Sequence, residues 1–114
     1  MDRTEHNLKT WPEPFQAVWE HRKPYEVRVF DRPYETGDVL RLFEYFPDAS
    51  NFTGRYVRAE VTCITRPGLY GLPEKIGVMG IKVLERREID PARARHWCTT
   101  NERNVPALTV PGST

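Results

Sequence analysis

The stretch from Arg55 to Thr65, RYVRAEVTCIT, alternates without interruption, and this period of two restricts the fold more than any other feature. Val57, Ala59, Val61 and Cys63 stand on one side of an extended strand, with Tyr56, Arg58, Glu60, Thr62 and Ile64 on the other. A strand must pair to satisfy its backbone amides, so a sheet is required around it. Three further segments supply candidates. Tyr25, Val27 and Val29 alternate with Glu26, Arg28 and Phe30, Val39 to Phe46 is rich in apolar and aromatic residues, and Val78 to Leu84 reads as another strand. In the first of these the Tyr25, Val27, Val29 face is expected to pack on the core. Cys63 is expected to be a small buried apolar residue.

Helix signals flank the strands. Thr10-Trp11-Pro12-Glu13 reads as a capping box in which Thr10 caps the first turn, with Pro12 at an early position and Trp11 stapling onto Phe15. Phe15, Val18 and Trp19 fall at helical spacing, and Pro24 stops the segment. His6 to Lys9 is a weaker strand candidate. Asp31-Arg32-Pro33 and Thr36-Gly37-Asp38 mark turns, 47–51 is a loop, and 66–77, with Pro67, Gly68, Gly71, Pro73 and Gly77, is a long one of the kind that often carries function. Asp90 caps a short Arg-rich helix through Trp97. The expected architecture is α+β: a small, partly closed mixed β-barrel with a helix near its N-terminus and a short C-terminal helix. Residues 1–97 form the domain, and 98–114 form a loosely ordered tail.

Composition narrows the function classes. At 114 residues the chain supports one core, and 17 Lys plus Arg against 16 Asp plus Glu leave a net charge of +1, so any attraction to nucleic acid must be local. No window is apolar enough to span a bilayer, and the first residues lack the basic start and apolar run of a secretory signal. Cys63 and Cys98 form no CxxC pair, and His6, His21 and His96 are not spaced for a metal. The expectation is a monomeric cytoplasmic protein without metal, cofactor, disulfide or membrane contact.

One cluster carries chemistry. Lys23, Glu26 and Arg28 lie within six residues, and strand alternation puts Glu26 and Arg28 on one face with Lys23 at the turn before them. Two cations flanking a carboxylate suit a phosphate together with a base amino group; the plainer alternative is an exposed ion pair on a solvated face. Trp11 is either a stacking platform or a helix staple. Lys9 and Arg55 are candidates for a basic rim, and Tyr70 for a cap over a ligand. Arg86, Arg87, Arg93 and Arg95 interleave with Glu85, Glu88 and Asp90, as on a solvated, salt-bridged face.

The run from Ala17 to Arg28, AVWEHRKPYEVR, resembles the GxKxxExR signature of ASCH domains in the PUA-like superfamily of small β-barrels. Lys23, Glu26 and Arg28 match its Lys, Glu and Arg, and His21 stands where it has Gly. The wider set His6-x-Leu8-Lys9-x-Trp11-Pro12, Phe15, Ala17-Val18, Asp31-Arg32, Gly37-Asp38, Thr53-Gly54-Arg55, Val61-Thr62 and Gly71-Leu72-Pro73 resembles the ASCH-like family DUF3850, common in bacteria and phages, over residues 6–84. The resemblance implies a barrel with a cleft beside the first helix, lined by the signature residues. Most members of the superfamily bind RNA or read modified bases, and a few are enzymes. The ASCH-type N4-acetylcytidine amidohydrolases share Lys23, but their catalytic Thr aligns with Glu26, and a carboxylate does not replace that nucleophile.

The leading expectation is therefore a module that binds RNA, or single-stranded nucleic acid with an extruded base, through Lys23, Glu26 and Arg28, with Lys9, Trp11, Arg55 and Tyr70 around them. Two others stand beside it. One is a hydrolase of a nucleoside or RNA with Glu26 as general base; the other is a phage or host protein-interaction module using the 66–77 loop and the tail.

Overall fold

The strong alternation at the centre of the chain becomes the central strand of a five-stranded mixed sheet. In a computed structural model, which describes residues 3–99, the order of elements is β1 (Glu5–Thr10), α1 (Pro12–Trp19), β2 (Tyr25–Val29), β3 (Val39–Phe46), β4 (Asn51–Thr65), a single turn at Leu69–Gly71, β5 (Ile76–Glu88) and α2 (Pro91–Thr99). The strand order is β1-β3-β4-β5-β2; β1 runs parallel to β3, and all other pairings are antiparallel. β1 and β2 are thus the two edges. They nevertheless come within side-chain reach of one another, because Arg28 of β2 donates to the Lys9 carbonyl of β1 at 2.9 Å and to Thr10 Oγ1 at 3.0 Å. The sheet is curled into a half-barrel whose open seam lies between β1 and β2.

Each face of the curl has its own core. Leu8, Phe15, Val18, Tyr34, Leu40, Leu42, Val57, Ala59, Val61, Met79 and Ile81 pack together on the side that α1 fills. Phe43, Phe52, Tyr56, Ala94 and Cys98 pack on the other, where α2 lies against β4. β3 is covered on both faces, which is why its sequence is a nearly continuous apolar run and not a clean alternation. The two clusters explain why β4 needs apolar residues of both parities, Tyr56 as well as Val57.

Several sequence expectations are corrected. Cys63 is exposed, because the β4–β5 register shifts between Val61 and Cys63 and a bulge there reverses the phase of the strand. β4 starts at Asn51 and β5 runs from Ile76 to Glu88, both longer than their apolar patterns suggested. Thr10 does not cap α1: it is the buried last residue of β1, and the N-cap position falls on Trp11, with no side-chain cap bond. The Trp11 ring lies 5.6 Å from that of Tyr45, while Phe15 pairs with Trp19. The Asp90 cap is present, with Oδ1 accepting from the Ala92 amide at 2.8 Å, and the helix continues to Thr99. Both cysteines are free. The tail expected from residue 98 lies, from 100 onward, outside the described residues.

Gly54 holds the sheet to the start of α2. Its φ is +99°, its carbonyl accepts from the Ile89 amide at 2.8 Å, and a Cβ there would sit 2.0 Å from the Ile89 carbonyl oxygen. Only glycine satisfies both conditions. Among the described residues, no helix is long and apolar enough to cross a membrane.

Candidate functional site

The site is assembled at the seam, and it starts from the way α1 ends. His21 has φ 63°; its amide donates to the Val18 carbonyl at 3.0 Å, and that of Arg22 donates to the Ala17 carbonyl at 2.8 Å. This is the Schellman arrangement, which places a left-handed residue just past the helix. The position where the resembling signature carries Gly is therefore one that demands positive φ, and His21 meets the demand with some strain. The reversal also brings the Lys23 amide onto the Ala17 carbonyl at 3.1 Å and launches the chain into β2 with Lys23 beside its first turn.

β2 then presents its charged face inward, opposite to the expectation from its apolar residues. Glu26 is 2% exposed and Arg28 1%, whereas Tyr25 is exposed. The plain alternative of a solvated ion pair is thereby excluded. Lys23 Nζ donates to Glu26 Oε2 at 2.9 Å and to the Tyr25 carbonyl at 2.9 Å. Arg28 Nε and Nη2 both lie 2.9 Å from Glu26 Oε1, while the guanidinium's other donors reach across the seam to Lys9 and Thr10. Arg28 thereby clasps the two edge strands. Burial alone would raise the Glu26 pKa, but the charges of Arg28 and Lys23 and their hydrogen bonds outweigh it and hold the carboxyl below its ordinary value. Glu26 is a fixed anion and a poor proton acceptor.

A pocket with about 260 Å³ of empty space, part of it open to solvent, sits over this triad and is lined by Thr10, Trp11, Pro14, Lys23, Glu26, Val27 and Arg28. It is a half-open hollow and not an enclosed cavity, so a ligand would rest in its mouth with one side exposed to solvent. Trp11 and Pro14 give it apolar walls, and one anion between two cations gives it a polar floor. Lys9 stands beside the pocket and not in it, with Nζ 4.6 Å from the Tyr45 ring that Trp11 also contacts. Trp11, Tyr45 and Lys9 thus form a ledge next to the opening.

Two of the sequence candidates lie elsewhere. Arg55 makes a two-pronged pair with buried Glu44, Nε to Oε1 and Nη2 to Oε2 at 2.9 Å each, donates to Gln16 Oε1 at 2.8 Å, and covers Trp19 with its carbon centre 4.7 Å from the ring. It braces α1 against β3 and β4. Tyr70 is 92% exposed in the 66–77 loop, with φ 52°, and does not line the pocket. Sequence reasoning missed Val27, Pro14 and Thr10 as lining residues. Thr10 was read as a cap, and Val27 as core.

His6 and Asp38 form a second buried polar pair away from the pocket, Nε2 to Oδ2 at 2.9 Å, with Asp38 also accepting from the Thr4 and Glu35 amides. These bonds outweigh burial and lower the Asp38 pKa. The pair fastens the start of β1 to the turn before β3. Among the described residues, no group of three or more His, Cys, Asp or Glu is gathered as a metal site requires.

Fold and site together define a small α+β half-barrel with a charged, aromatic-walled pocket in its seam. Residues 5–81 match the family described as a domain of unknown function, DUF3850, and the chain belongs to it. An uncharacterized 12.9 kDa protein in the GpA 3′ region of Escherichia phage P2 is 42% identical to it over 60 residues, 53% of this chain and 53% of the phage protein. The matched stretch thus spans about half the length of that curated relative.

Proposed function

We propose that this protein is a nucleic-acid-binding module of the PUA-like, ASCH type, which takes one base of RNA or of another single strand into the seam pocket. The observation that supports this most is the juxtaposition of a half-open hollow walled by Trp11 and Pro14 with the Lys23–Glu26–Arg28 triad at its floor. An extruded base needs a flat apolar wall and a few fixed polar groups. Lys23 and the neighbouring Lys9 supply positive charge for the adjoining phosphates, and the Trp11–Tyr45 ledge supplies a second stacking surface. With a net charge of +1 the contact is small and its affinity modest.

A hydrolase with Glu26 as general base ranks below this, because its two cations keep the carboxyl ionised and weakly basic. The protein-interaction reading draws on Leu69 and Tyr70, both exposed at the tip of the 66–77 loop. The test is an amide chemical-shift titration with short single-stranded RNA and DNA at two salt concentrations. Salt-sensitive shifts confined to Thr10, Trp11 and Lys23 to Arg28 are expected. Shifts confined to the 66–77 loop, or none at millimolar ligand, would overturn the reading.

A further inference from the structure

β2 is the last strand of the sheet, and one residue of it faces the pocket through its main chain. In the register with β5, Glu26 lies opposite Met79, Val27 opposite Val78 and Arg28 opposite Gly77. At the two ends of this pairing, the Pro24 carbonyl accepts from the Ile81 amide at 3.0 Å, and the Phe30 amide donates to the Lys75 carbonyl at 2.8 Å. Bonded residues alternate along an antiparallel ladder, so positions 24, 26, 28 and 30 bond to β5. Tyr25, Val27 and Val29 therefore turn their N–H and C=O groups the other way, toward the seam. Tyr25 agrees with this, since its carbonyl accepts from Lys23.

Val27 lines the pocket together with Glu26 and Arg28, yet strand alternation puts its side chain on the opposite face from theirs. What it presents to the pocket is an N–H and a C=O, parallel and on one side of an extended residue. A whole peptide strand cannot use this edge as a sixth strand, because Arg28 spans the seam to Lys9 and Thr10 and blocks its path. A single ring can reach it.

We propose that the pocket takes a flat heterocycle whose edge carries an N–H donor beside a carbonyl acceptor, and that the Val27 main chain pairs with that edge as one more rung of the sheet. The ring lies against Trp11 and Pro14. Glu26 Oε2, which accepts only from Lys23 among the protein groups described above, and the Lys23 ammonium itself add a second acceptor and donor at the floor. Specificity then resides in the backbone of Val27, and Arg28 is a positioning residue that ties β2 to β1 beside it. This rests on the reading of the pocket as a base site.

The experiment titrates labelled protein with uridine and with N3-methyluridine, in which a methyl group replaces the donor hydrogen. Uridine is expected to move the Val27 amide resonance, and methylation to weaken binding roughly tenfold, as loss of one hydrogen bond and a clash would. Val27→Pro replaces the outward N–H that pairs with the uridine carbonyl by a ring carbon, a change that edge strands tolerate, and should itself weaken uridine binding roughly tenfold. Equal affinity of the wild type for the two nucleosides would overturn the proposal while leaving the base site standing. So would shifts at Trp11 and Lys23, from uridine or an RNA oligomer, that leave Val27 unmoved. No response to uridine or to RNA would overturn both.

Discussion

Arg28→Ala tests whether the half-barrel is closed by a side chain. Arg28 is 1% exposed, and its guanidinium makes the only contacts described here that tie β2 to β1 across the seam. Truncating it leaves Glu26 buried with Lys23 as its sole cation, and breaking a buried pair in this way costs about 3–5 kcal/mol. The Lys9 carbonyl and the Thr10 hydroxyl also lose a donor, at about 1 kcal/mol each. A loss of about 5 kcal/mol is at the lower limit of what a domain of this size possesses, about 5–15 kcal/mol in all. In urea, with a slope of about 1.5 kcal/mol per molar, the midpoint should fall by roughly 3 M. Replacing both partners, Glu26→Leu with Arg28→Met, removes the stranded charge and should recover to within about 2 kcal/mol of the wild type. Tryptophan fluorescence reports the unfolding of all three proteins. An Arg28→Ala variant within about 1 kcal/mol of the wild type would refute the clasp.

Other outcomes follow from the same geometry. His21→Gly relieves a left-handed residue and should stabilise the protein by up to about 1 kcal/mol after the entropy of the added glycine is deducted, raising Tm by a few degrees in a thermal melt. Gly54→Ala drives a Cβ into the Ile89 carbonyl and should cost more than about 3 kcal/mol, read as failure to fold or a much lower melting point. Glu26 and Asp38 both have pKa values lowered by folding, so the stability they confer is complete above their unfolded values of 4.5 and 3.8 and is lost as pH falls through the folded ones. Urea midpoints should therefore drop steeply on acidification below pH 4.5, and less steeply in Glu26→Gln. A thiol reagent should label Cys63 in the native protein at once and Cys98 only after unfolding; mass spectrometry of the labelled chain distinguishes them.

Much of the sheet was legible because alternation is a local property. β4, β3 and the centre of β5 follow from their residues, and the Asp90 cap needs only its own helix. What escaped the sequence depends on partners far along the chain. The inward face of β2 was misjudged because Val27 and Val29 look like core, while burial of Glu26 and Arg28 depends on the Lys9 carbonyl, 19 residues from Arg28, and on Thr10. Thr10 has the spacing of a cap, but its hydroxyl is engaged by Arg28. A single bulge after Val61 exposes Cys63, and no periodicity announces a bulge. Arg55 has the look of a rim cation, yet Glu44, eleven residues earlier and brought alongside by the β3–β4 hairpin, occupies it. The triad itself was found by spacing and by resemblance; its division into a clasp, a fixed anion and a pocket cation was visible only in the fold.

The central claim is that the seam pocket receives a base from a single strand, with Lys23 as one of its lining cations. The most direct measurement is the affinity of a short single-stranded RNA for the wild type and for Lys23→Gln across a range of salt concentrations. The account predicts a variant that still folds, binds roughly tenfold more weakly, and shows a salt slope smaller by about one. Identical affinity and slope in the two proteins would contradict it.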